Sequence, residues 1–80
     1  MKKYKITYTV LPTSESCCTR VIAGDVADAM RKGIQYIIAE RERCGYICNY
    51  DGTEIAVCYC NGNLCETYTD FEVKELNGSD

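Results

Sequence analysis

The sequence contains no histidine among its 80 residues. That absence removes the side chain that most often serves as general base, and with it Ser-His-Asp and Cys-His nucleophile arrangements. The serines offer no substitute: Ser14, Ser16 and Ser79 sit in a turn or a tail and not on a nucleophile elbow. Also missing are a C-x-x-C redox motif and a phosphate-cradling glycine loop, since Gly24 stands alone before its helix. Glu40 and Glu42 point to different sides of the same helix, so they form no acid/base pair. These absences predict a protein that is not an enzyme and carries no cofactor.

Long apolar runs are missing too. No stretch approaches the ~18 apolar residues of a membrane span, and the opening Met1 to Leu11 interleaves Lys3, Lys5, Thr7 and Thr9 with its apolar positions. Neither a membrane partner nor a secretory leader is expected. A cytoplasmic location follows, where thiols stay reduced.

Thiols are abundant. Cys17, Cys18, Cys44, Cys48, Cys58, Cys60 and Cys65 make an odd set that closes no disulfide framework. Cys58, Cys60 and Cys65 are the candidate ligands if a metal binds. Their spacing argues against it, because structural zinc sites bring a C-x2-4-C knuckle, whereas this chain has C-x3-C at 44–48 and C-x-C at 58–60. On a strand, Cys58 and Cys60 would stand about 7 Å apart at Cα, awkward for one tetrahedral ion. Small buried hydrophobes are the expected role for these cysteines, with a metal or redox sensor as an alternative.

Charge is uneven along the chain. Residues 1–50 carry a balance of +3 and residues 51–80 a balance of −6, for a net charge of −3. Direct nucleic-acid binding is not expected without a basic excess. The acidic residues Glu54, Glu66, Asp70, Glu72 and Glu75 form a candidate acidic edge, either solvated or imitating a phosphate backbone.

Periodicity predicts an α+β domain over residues 1–76, an antiparallel sheet with one helix packed on one face in the order ββαβββ, followed by a frayed polar tail at 77–80. Residues 3–11 alternate, with Tyr4, Ile6, Tyr8 and Val10 on one side, and Pro12 ends the run. Residues 17–23 resume as a second strand, closing a hairpin. Asp25 is an N-cap; Ala27, Met30, Ile34, Ile37 and Ile38 recur at helical spacing to about Arg43, and Gly45 suits a left-handed closing residue. Gly33 inside that helix should cost about 1 kcal/mol relative to Ala. Strands over 46–50, 53–60 and 64–76 then form a meander, with a two-residue turn expected at Asp51-Gly52 and another turn at Asn61-Gly62-Asn63.

Those turns set Cys48 opposite Ile55 and Tyr59 opposite Leu64. One meander face then collects Tyr46, Cys48, Tyr50, Ile55, Val57, Tyr59, Leu64 and Tyr68, and the other Ile47, Ala56, Cys58, Cys60, Cys65, Phe71 and Val73. One helix covers only one side of a sheet. Small Ala and Cys side chains suit close packing beneath it, which turns the tyrosine face outward as an interface of Tyr46, Tyr50, Tyr59, Leu64 and Tyr68; the inverse, with the helix on the tyrosines, stays open.

The opening KKYKITYTV and the later TRVIAGDVADAMRKGIQYI resemble the DpnD/PcfM-like small accessory proteins of phages, plasmids and conjugative elements. The likeness spans about the first half of the chain and rests on Lys3-Tyr4, the strand ending at Ala23 and the helix capped by Asp25. It implies a mobile-element accessory role with a protein partner, and transfers no catalytic residue. The expected function is a non-catalytic protein-interaction module that forms a homodimer through its tyrosine face. The alternative is an inhibitor of host defence that uses the acidic edge as a nucleic-acid mimic.

Overall fold

The computed structural model describes residues 1–76; the frayed tail expected at 77–80 lies outside the described residues. Its elements are β1 (Lys2–Leu11), β2 (Glu15–Ala23), α1 (Val26–Arg43), β3 (Ile47–Tyr50), β4 (Ile55–Cys58) and β5 (Leu64–Leu76). The five strands form one antiparallel sheet in the order β2-β1-β5-β4-β3. The hairpin and the meander are therefore joined through β1 and β5, strands from opposite ends of the sequence.

Local chemistry sets the helix ends. The Asp25 carboxylate accepts the amide of Asp28 at 2.8 Å, which satisfies one orphan donor of the helix, and the Asp28 carboxylate accepts the amide of Gly24, just before the cap, at 3.2 Å. At the other end the amides of Gly45 and Tyr46 donate to the carbonyls of Glu42 and Arg41, the paired bonds of a Schellman closure. Gly45 takes φ +96°, which a side chain would oppose.

The helix covers the tyrosine face, which corrects the expected arrangement. Ile34 and Ile37 pack with Val10, Ile55, Val57 and Tyr68, and Tyr46, Cys48 and Phe71 close around them. Area explains the choice. Ile55 and Val57 reach 0% exposure, and burying such a side chain is worth about 1.5–3 kcal/mol, more than Ala56 or Cys58 could return. Register enforces it as well: Val10 lies opposite Tyr68, so the apolar side of β1 and the tyrosine side of the meander are one continuous surface.

Two further differences have local causes. Thr7 pairs with Glu72 but Thr9 with Thr69, so β5 holds one extra residue near Asp70, whose φ is 57°. That bulge reverses the alternation, placing Phe71 and Val73 on the helix side and not beside the cysteines; both pack against the core. The second is the turn after Tyr50. The Asp51 carboxylate accepts the amides of Thr53 and Glu54, each at 2.8 Å, and this Asx arrangement holds a four-residue loop in place of the expected two. Cys48 consequently faces Val57 rather than Ile55. Because the slip is two residues, every side chain keeps its face.

Gly33 has a positional role beyond its helix cost. A Cβ there would stand 2.5 Å from the Ile6 terminal methyl, so glycine lets α1 approach β1 closely.

Candidate functional site

With α1 on one side, the opposite face of the sheet is open, and its composition follows from alternation. β2 contributes Cys18, Arg20 and Ile22; β1 contributes Lys3, Lys5, Thr7, Thr9 and Leu11. After the bulge β5 supplies Glu72, Lys74 and Leu76, while β4 gives Ala56 and Cys58 and β3 gives Ile47 and Asn49. The two ends of this face differ in chemistry.

Its apolar end gathers around β3, β4 and the start of β5. Cys58 pairs with Ile47 on one side and Leu64 on the other, and Leu64 shares a shallow recess of about 280 Å³ with Leu11, Pro12 and Cys65. Ile47 is 47% exposed and Leu64 61%. Its basic end lies across β5, β1 and β2, where Lys74, Lys5 and Arg20 stand directly opposite one another in register.

The five tyrosine-face candidates separate. Tyr68 is buried in the core and Tyr46 packs against it, so neither is an outward-facing interface residue. Tyr50 lies on the helix side at the rim, its hydroxyl donating to the Gly52 carbonyl at 3.0 Å. Tyr59 is exposed and leans on Tyr46 with ring centroids 5.9 Å apart, and Leu64 is exposed beside it in the turn-linked strand. Of the set, Leu64 borders the open surface, while Tyr59 follows Val57 by alternation to the helix side and meets Tyr46 at its rim.

The acidic candidates do not form an edge, because β5 is the central strand of the sheet. Glu66 faces the helix side, where it accepts the Tyr68 hydroxyl at 3.1 Å. Glu75 pairs with Lys2 at 3.6 Å, Glu72 lies on the open face, Asp70 occupies the bulge and Glu54 belongs to the loop before β4. A single phosphate-like track is absent from that distribution.

All seven cysteines are free thiols. Cys58 and Cys65 lie on the open side, but Cys60 falls in the turn beyond β4, and among the described residues no group of three or more Cys, Asp or Glu is placed to hold a metal ion. Cys48 packs beneath the helix, where burial raises its thiol pKa, with Glu42 adding to the shift.

A cleft of about 410 Å³ opens on the helix side between β2 and the C-terminal half of α1, lined by Tyr8, Tyr68, Glu66, Tyr36, Glu40 and Arg41 among others. Burial raises the phenol pKa of Tyr68, and the Glu66 carboxylate beside it acts in the same direction; burial also raises that of Tyr8, followed by Cys17. Both phenols keep their protons at neutral pH. Neither supplies a base, and the single Tyr68 donor is already taken by Glu66.

The open-face arrangement was only half visible in the sequence. Lys3 and Lys5 share a face by alternation alone, but bringing Lys74 against Lys5 needs both the β1–β5 pairing and the bulge that resets β5. Among the described residues no helix is long and apolar enough to cross a membrane. No family model, curated protein or solved structure matches the chain.

Proposed function

We propose that this domain is a non-catalytic protein-interaction module that self-associates through the apolar end of its open sheet face. One observation carries the reading: Ile47, Leu64 and Leu11 stay 37–61% exposed around a surface that the helix leaves uncovered. A chain of this size buries a modest core, and a second copy laid against that end removes further apolar area from water. Small residues at Ala56 and Cys58 leave the surface shallow enough for close approach. The resemblance of the first half to mobile-element accessory proteins supports a role in which binding, not turnover, is the activity.

Sedimentation equilibrium tests the proposal. A homodimer is expected at micromolar concentration, and Leu64→Lys or Ile47→Lys should shift it to monomer while leaving the thermal unfolding of the dilute chain within about 0.5 kcal/mol of the parent. A monomeric parent, or a dimer that survives both substitutions, refutes it.

A further inference from the structure

The chain has nine lysines and arginines. Lys2, Arg31, Lys32 and Arg43 make ion pairs with carboxylates of their own neighbourhood. Of the other five, four meet at the basic end of the open face. Lys5 lies opposite Lys74 on one side and opposite Arg20 on the other, and Lys3 occupies the next open-face position, between Leu76 and Ile22. Like charges set directly opposite on neighbouring strands destabilise a sheet, so the isolated domain is poorer for this arrangement. Glu72 is the nearest carboxylate on the same face, opposite Thr7, and among the described residues it makes no ion pair within 4.0 Å of the four cations.

Beside the cations lies an apolar foothold. Lys3, Arg20, Val21 and Ile22 line a recess of about 300 Å³, and Ile22 is 56% exposed there. We propose that this end of the open face binds an acidic segment of a partner protein, its carboxylates against Lys3, Lys5, Arg20 and Lys74 and an apolar side chain in the recess at Ile22. The inference rests on the reading of the domain as an interaction module and supplies a second surface with a different partner.

Charge and composition favour a polypeptide over a nucleic acid. The row spans only about 10 Å across three strands, and the chain as a whole carries −3, so it lacks the long basic track that follows a phosphate backbone. No tyrosine or phenylalanine stands among the residues that alternation assigns to this face, so bases would find no stacking platform. A carboxylate-bearing segment needs neither.

The probe is a short synthetic peptide of glutamates around one central leucine, titrated by fluorescence anisotropy with the Ile22 methyl resonance as the local reporter. Saturable binding is expected, weakening as salt rises, with at least a tenfold loss on Lys5→Glu or Arg20→Glu and none of it reproduced by the glutamine version of the peptide. Tighter binding to a duplex or single-stranded oligonucleotide, or to vesicles containing phosphatidylserine, would overturn the choice of partner; no binding to any probe would overturn the site. A ligand-free measurement checks the premise. Lys5→Thr should raise the unfolding temperature by about 2–4 °C at low salt and much less at high salt, and a fall instead would show that the cations are not in conflict. Sedimentation of Leu64→Lys reads the other end of the face, so the two proposals fail separately.

Discussion

On the helix side of the sheet Ile6, Ile55 and Val57 are fully buried, whereas on the opposite side Ile22, Ile47 and Leu64 keep 47–61% of their surface in water. Both sets are aliphatic residues in the strands of one sheet, so the difference is not one of local propensity. It comes from where the helix returns. After Ala23 the chain turns at Asp25 and lays Ala29, Gly33, Ile34 and Ile37 over the side to which Tyr4, Ile6 and Val10 already point. What the covered face teaches is that a single helix decides which of two apolar sides becomes core. The open side is then free to carry cations in conflict and aliphatics without cover, features that cost stability in isolation and suit recognition.

The sharpest way to test the contrast is to truncate one residue on each face. Ile55→Ala should cost about 3 kcal/mol by denaturant unfolding, because its cavity opens between β4 and α1, while Ile47→Ala in the dilute chain should stay within about 0.5 kcal/mol. Equal losses would mean that the open face is as much a core as the covered one. A smaller effect is expected at the helix–sheet contact. Gly33→Ala gains about 1 kcal/mol of helix propensity but drives a methyl into Ile6, for a net loss of about 1 kcal/mol; with Ile6→Val the combined loss should be less than the sum of the two. Additive losses would separate the glycine from the packing of α1 on β1.

How far the sequence revealed this contrast depends on the range of the interaction. The hairpin, the helix with its Asp25 and Gly45 ends, and the meander are local patterns, and the structure holds them where periodicity put them. Which meander face the helix covers was not local: it required β1 to pair with β5, and the expectation of a cysteine-lined core failed there. Phe71 and Val73 were misassigned because one extra residue at Asp70 inverts everything after it, and a bulge of this kind leaves no periodic trace. Tyr59 and Leu64 survive as surface candidates since they flank a turn, while Tyr46 and Tyr68 were drawn inward by their aliphatic neighbours.

The smallest expected effect concerns acid. Amides of Glu54 and Thr53 hold the Asp51 carboxylate below its usual pKa, and the amide of Gly24, then Arg31, does the same for Asp28. A depressed folded-state pKa gives stability that is present above the unfolded value near 3.8 and is lost as pH falls through the lower folded value. Asp51→Asn should therefore lower the melting temperature slightly at neutral pH and converge on the parent as pH falls from about 4 toward 2, which flattens the acid limb of the profile. An unchanged acid limb would remove the loop carboxylate from the account.

The two faces can be compared in one experiment, because isoleucine methyls report on both. In a methyl-labelled sample, Ile34, Ile37 and Ile55 mark the covered side and Ile22 and Ile47 the two ends of the open side. On dilution through the dimer dissociation range, the Ile47 methyl should move and the three core methyls should hold their positions. If Ile47 stays fixed while the protein changes mass, or if no isoleucine on the open face responds at any concentration, the open face is not where this protein meets its partner.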